Sequence, residues 1–337
     1  MKGHLRIMIV FTIALIAVPF IALLSAGRGA APASAGDSET AGETVLMLFG
    51  DDKAPTSLSM REYIIGAVAA QMPADFGEEA LRAQAVLAHT YALRRRAEEK
   101  ADPTPALKGA DLSDDSTLYN AYFTEEQIRA LSGTDTDEVM EKLAAAADYA
   151  LTRTLTYKGE PVIAAFHAVS CGRTESALAA WGEDIPYLKS VDSSADLESK
   201  VCTSELTLTG DQLYAALSKA FPDAGIDRRN LTVKVTEKTE AGCAATVELC
   251  GMSYVSGTAF AEAAGLPSAC FEVSEEEGSY KFITKGRGRL VGMSQYGARA
   301  MALEGKTCED ILAHYFPGTE IKIGNQRSEA LSQRSDL

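Results

Sequence analysis

No two of the six cysteines stand in Cys-x-x-Cys spacing, so a zinc ribbon is excluded. Tryptophan occurs once, at Trp181, aromatic residues make up 7% of the chain, and no internal repeat is visible. Basic charge is also short: 32 Lys and Arg face 47 Asp and Glu, a net charge of −15. A surface of that sign repels phosphate backbones and anionic lipid, so no nucleic-acid partner is expected. No Gly-x-Ser-x-Gly elbow surrounds Ser294, which removes that residue as a serine-hydrolase nucleophile.

What is present is enough for a folded core. The chain has 337 residues, 46% of them hydrophobic and 23% charged. Its one long apolar run is Ile7 to Ala26, uncharged and about 30 Å long as a helix. Lys2 and Arg6 precede it, which favours a cytoplasmic N-terminus and export of the rest. Two readings are open: a signal anchor, or a signal peptide cleaved at the small residues Ala33-Ser34-Ala35. The run exceeds the usual signal-peptide core, so residues 1–26 are read as a cytoplasmic stub and membrane anchor, placing the protein at the cell membrane as a single-pass chain. Residues 27–44, rich in Gly, Ala, Ser and acidic side chains, read as a linker. A domain is expected over 45–324, and a polar tail over 325–337.

Within that domain, helices are expected at Ser59–Ala70, Glu78–Glu99, about Asp137–Ala150 and about Gly210–Phe221. The first two are separated by a Pro and Gly break at 72–77. Ala80, Leu81, Ala83, Ala85, Val86, Ala88 and Ala92 give the second a small-residue face suited to close packing. Strands are expected at Val45–Phe49, Leu155–Tyr157, Val162–Phe166, Leu231–Val235 and Ala245–Leu249. Without regular βαβ alternation, the fold class is α+β: a single-pass N-terminal membrane helix followed by one large mixed ectodomain.

Three blocks carry more than class. The first is Glu62-Tyr-Ile-Ile-Gly-Ala-Val-Ala-Ala-Gln71-Met-Pro73, continued by Glu79 to Ala88 and Thr90 to Leu93. The second is Ala165-Phe-His167-Ala-Val-Ser-Cys171-Gly-Arg173-Thr174-Glu175, followed by Trp181-Gly182 and Pro186 to Val191. The third is Val291-Gly-Met-Ser294-Gln295-Tyr296-Gly-Ala298. In order and spacing they resemble the stage II sporulation protein D/LytB family, over essentially the whole ectodomain. The resemblance implies a lytic transglycosylase that cuts the β-1,4 bond between N-acetylmuramic acid and N-acetylglucosamine during engulfment in sporulation. It further implies peptidoglycan glycan strands, already stripped of stem peptides, as substrate. A cell-wall amidase and membrane engulfment proteins are the implied partners. One family glutamate, just before Met-Pro, protonates the leaving oxygen and then takes the proton of the muramyl 6-hydroxyl, leaving a 1,6-anhydro end.

Here that position is Gln71, and an amide has no acidic proton to give. Three readings stay open: Gln71 is a sugar-binding relic of the catalytic site, it is a structural amide, or Glu62, Glu78 or Glu79 carries the acid. The chain also reads Gly288-Arg289-Leu290 where many relatives have a Gly-His-Gly run. Arg173, Thr174, Glu175, Ser294, Gln295 and Tyr296 are the candidate glycan contacts. The family histidine corresponding to His167 has been linked to zinc, so His167 and Cys171 are candidate ligands, with a core histidine and a disulfide or buried thiol as the alternatives. No cofactor is otherwise required. The functional alternatives are a transglycosylase-like protein altered at its acid, or a non-catalytic glycan-binding or scaffold protein of the cell-wall machinery.

Overall fold

The computed structural model describes residues 43–50 and 54–324. They fall into two compact units, one running to Leu155 and joined by Lys322 to Gly324, the other Thr156–Ile321. The expected membrane segment lies outside the described residues. Within them, no helix is long and apolar enough to cross a membrane.

The first unit begins with β1 (Thr44–Leu48), whose Val45 and Met47 point inward while Leu46 faces out, the period-two pattern of a half-buried strand. It pairs antiparallel with β2 (Thr56–Ser59) and parallel with β3 (Leu112–Ser113). Helix α1 (Met60–Gln71) starts directly after β2, because Ser59 and Glu62 form a reciprocal capping box. It ends at Gln71, since Pro73 disfavours helical backbone at Met72. Helix α2 (Glu78–Ala101) buries Ala80, Ala83, Ala85, Ala88 and Ala92 almost completely, and this alanine face admits α1 and the later α4 at close range. Helix α3 (Glu125–Ser132) is capped by Thr124 and Gln127 in the same manner as α1, and α4 (Thr136–Ala150) leads into β4 (Arg153–Tyr157).

The second unit opens with a hairpin from the end of β4 to β5 (Glu160–Pro161), turned by Lys158 and Gly159, both at positive φ as a two-residue primed turn requires. After β6 (Phe166–His167) and the short α5 (Ala177–Trp181) come two three-stranded antiparallel sheets. One consists of β7 (Thr203–Thr209), β11 (Phe271–Glu276) and β12 (Ser279–Lys285), with β12 central. The other joins β8 (Val233–Lys238), β9 (Ala244–Leu249) and β10 (Ser253–Ser256), with β9 central. Helices α6 (Gly210–Ala220) and α7 (Gly257–Ala264) bury Leu213, Leu217 and Phe260 among residues of both sheets. At the centre, Phe260, Phe271 and Phe282 meet with ring centroids 5.2 to 6.0 Å apart. The chain closes this unit with β13 (Met293–Ser294), α8 (Gln295–Leu303), α9 (Cys308–Tyr315) and the start of β14 (Glu320–Ile323).

The α+β class and the expected helices are present, each within two residues of its expected bounds. The run Val162–Phe166 is a strand only at Phe166. Before that point the backbone turns, Ala165 N–H donating to the Ile163 carbonyl and Ile163 N–H to the Tyr187 hydroxyl, so its polar groups are met without a ladder. Helices α3, α7, α8 and α9 and the whole β7-β12-β11 sheet were not anticipated from the sequence.

Truncating Phe282, fully buried in the aromatic cluster, is expected to destabilise the second unit by roughly 3–5 kcal/mol through lost burial and a residual cavity. Trp181, the single tryptophan, lies in this unit, so denaturant titration of Phe282→Ala followed by its fluorescence reads the effect.

Candidate functional site

Gln71, at the end of α1, is 7% exposed. Its carbonyl oxygen accepts from Gln84 Nε2 at 2.7 Å, and its own Nε2 donates to the carbonyl of Ala121 at 3.2 Å. The orientation follows from chemistry: the Ala121 oxygen can only accept, so the amide nitrogen must face it. Gln84, fully buried, is the polar break in the alanine face of α2. Ala121 reaches Gln71 because Gly66 on α1 leaves room for the segment at 122–123, where Phe123 N–H donates to the Gly66 carbonyl at 3.1 Å. A Cβ at Gly66 would overlap the Tyr122 ring and the Phe123 carbonyl. Tyr122 in turn stacks on Tyr63 at 6.1 Å.

A carboxyl in Gln71's place would be held neutral, since burial opposes ionisation and the Ala121 oxygen demands a donor. That is the state a general acid needs before it acts. The glutamine copies its shape and hydrogen bonds but has no proton to transfer. The three nearby glutamates are engaged elsewhere. Glu62 caps the opposite end of α1, nine residues or about 14 Å of axial rise away. Glu78 and Glu79 both pair with Arg82, the latter at 2.5 Å.

The second and third sequence blocks lie in the second unit and meet there. β6 and β13 pair in parallel, setting Phe166 opposite Met293 and His167 opposite Ser294. Gly292, at φ 77°, permits this approach, because a Cβ would overlap the Ala165 carbonyl. Beneath the pair sits Asp196, 1% exposed. One of its oxygens accepts from Ser170 N–H at 2.8 Å and the Ser193 hydroxyl at 2.9 Å, and the other accepts from the Ser294 hydroxyl at 2.9 Å. Ser193 continues to the Tyr315 hydroxyl at 2.8 Å. Ser294 also caps α8 by accepting from Gly297 N–H.

His167 is buried, with Nδ1 3.2 Å from the Val291 carbonyl. That oxygen can only accept, so Nδ1 carries the proton, and Nε2 is left with no hydrogen-bond partner among the described residues. Burial pulls its pKa down to about 4, against the opposing charge of Asp196 and the Val291 carbonyl.

The other candidates divide by exposure. Thr174, Glu175, Ser294 and Gln295 are buried, whereas Arg173 and Tyr296 are part-exposed. Thr174 braces its loop, accepting from Val191 N–H and donating to the Lys189 carbonyl. Arg173 pairs with Glu240 at 2.9 Å, and Arg289 with Glu262 at 2.6 Å. Glu175 accepts from the Thr239 hydroxyl, and burial raises its carboxyl above the usual range. Trp181 is exposed at the end of α5.

Cys171 does not share a donor cluster with His167. Among the described residues, the one group of three or more His, Cys, Asp or Glu donors close enough to hold an ion is Cys171, Cys243 and Cys270. Hydrogen bonds with the Cys243 and Cys270 thiols draw the Cys171 thiol down to about 3 and push Cys243 up. All six cysteines are free thiols. Nothing in the spacing announces this triad, and Asp196 carries no motif either. Gln84 did leave a trace, as the one amide among the alanines of that helix face.

The family model for stage II sporulation protein matches residues 51–157, which hold α1, α2 and Gln71. Stage II sporulation protein D of Bacillus subtilis is 36% identical over 265 residues, covering 79% of this chain and 75% of that protein. This chain belongs to the stage II sporulation protein D family. The Bacillus amyloliquefaciens protein of the same name is also 36% identical, over 79% of this chain and 74% of its own length. The amidase enhancer of Bacillus subtilis is 23% identical, over 76% of this chain and 40% of that protein. The Bacillus matches cover more of the chain than residues 51–157.

Two outcomes follow. Gly66→Ala is expected to destabilise the first unit by about 1–3 kcal/mol, by displacing Tyr122 and Phe123 from α1; thermal unfolding measures it. His167 titrates lower in the folded chain than its ordinary 6.5, so between pH 6.5 and about 4 the unfolded chain binds more protons. Stability therefore falls as pH drops through that window and levels off below it. In His167→Asn this component of the slope disappears, as urea titrations across the window will show.

Proposed function

We propose that this chain is a non-cleaving, glycan-strand-binding member of the sporulation cell-wall machinery. It works outside the cytoplasm on an anchor formed by Ile7 to Ala26. The carrying observation is the Gln71 amide, buried at the family's acid position with both ends engaged by Gln84 and Ala121. Removal of a general acid slows such a reaction typically ~10²–10⁴-fold, and Glu62, Glu78 and Glu79 are engaged in a helix cap and in ion pairs. The family's transglycosylase chemistry on the bond between N-acetylmuramic acid and N-acetylglucosamine is therefore absent, while peptide-stripped glycan remains the ligand. Support for a cell-wall setting comes from the relatives' names, a sporulation protein and an amidase enhancer. A cell-wall amidase and membrane engulfment proteins are the corresponding partners.

A second reading, a scaffold that holds partner proteins without touching glycan, is favoured by the 7% exposure of Gln71. Sedimentation with amidase-treated peptidoglycan separates the two: glycan binding carries the chain into the pellet, and a scaffold stays in solution.

The deciding experiment digests peptide-free glycan strands with the native chain and with Gln71→Glu, and reads 1,6-anhydro ends by mass spectrometry. The native chain is expected to release none. The variant is expected to release them, because its carboxyl would enter a setting that keeps it protonated. Anhydro ends from the native chain would overturn the proposal.

A further inference from the structure

Three of the six cysteines converge although they come from distant segments. Cys171 follows β6, Cys243 closes the β8–β9 turn just before β9, and Cys270 immediately precedes β11. The sulfurs lie within 4.8 Å of one another, and Cys171 and Cys243, 72 positions apart, stand 3.8 Å sulfur to sulfur. A disulfide would require about 2.05 Å. An ion bonded to sulfur at about 2.3 Å in tetrahedral geometry sets its ligands about 3.8 Å apart. The observed separation matches the second arrangement. Beside the cluster, Glu175 and Cys243 line a cavity of about 150 Å³ with Thr239, Gly288, Arg289 and Leu290.

We propose that Cys171, Cys243 and Cys270 form a three-thiolate site for a zinc-class divalent cation. Soft sulfur donors select such an ion over calcium or magnesium, which take oxygen. Binding transfers the remaining thiol protons to water and moves no electrons. The ion would tie the loop after β6 to the turn before β9 and to the start of β11. That links the second sequence block to both sheets of its unit. The site is structural in kind, because all three thiolates come from the fold and none from the Gln71 region. It stands whether or not glycan is bound or cut.

The test uses the full chain purified in detergent without chelator. Metal analysis after dialysis is expected to find about one zinc per chain. Exchange for cobalt is expected to produce the near-ultraviolet thiolate-to-cobalt charge-transfer band, at an intensity matching three sulfurs. Cys243→Ser and Cys270→Ser each lose zinc on dialysis and weaken the band, whereas His167→Ala and Cys250→Ser keep both. Stripping the metal lowers the thermal midpoint of the native chain. Should the serine variants fail to fold, the band of the native chain decides alone. A disulfide between any two of the three cysteines, found by alkylation and mass spectrometry of the unreduced protein, overturns the proposal. So does a zinc-free native chain with no charge-transfer band, or zinc that is lost in His167→Ala and kept in Cys243→Ser.

Discussion

A carboxylate taken out of water must be met by donors, and in the second unit that requirement falls on Asp196. Its three hydrogen bonds come from Ser170, Ser193 and Ser294, residues drawn from the second block, the loop after it and the third block. Each donor would be under-satisfied without it, and the charge would be unpaired without them. The parallel pairing of β6 with β13, the cap of α8 and the Ser193–Tyr315 contact are built around this one ion. Sheets and helices elsewhere in the unit rest on ordinary apolar burial, but the polar segments of the second and third blocks are held in register by charge.

The first unit solves a related problem with neutral groups. Gln84, Gln71 and the Ala121 carbonyl form a chain, Gln84 donating to Gln71 and Gln71 to the carbonyl. An amide is well suited to this, since it offers a donor and an acceptor at once and carries no charge to desolvate.

Much of the fold was readable from the chain. The helices at 60–71, 78–101 and 136–150 announce themselves through apolar period and, for the first two, the Pro and Gly break between them. The run at 162–166 misled, because an apolar stretch can be buried by a turn and a tyrosine hydroxyl as well as by a ladder. The β7-β12-β11 sheet was missed although Leu206 and Leu208, Phe271 and Val273, and Tyr280 and Phe282 alternate with polar residues, because each pattern is only six or seven residues long. Such strands become strands only when neighbours supply their hydrogen bonds. Among the candidate glycan contacts, Arg173 and Tyr296 retain exposure, while Thr174, Glu175, Ser294 and Gln295 are drawn inside.

Sequence alone determined the family, the α+β class and the amide at position 71, because each is a matter of which residue stands where in a local pattern. Tertiary structure alone decided that Gln71 is locked between Gln84 and Ala121, that Asp196 joins two distant blocks, and that Cys171 faces Cys243 and Cys270 instead of pairing with His167. The physical reason is separation along the chain. Spacing rules describe neighbours within a turn or a strand, whereas these contacts join residues 13 to 99 positions apart, which only the folded path brings together.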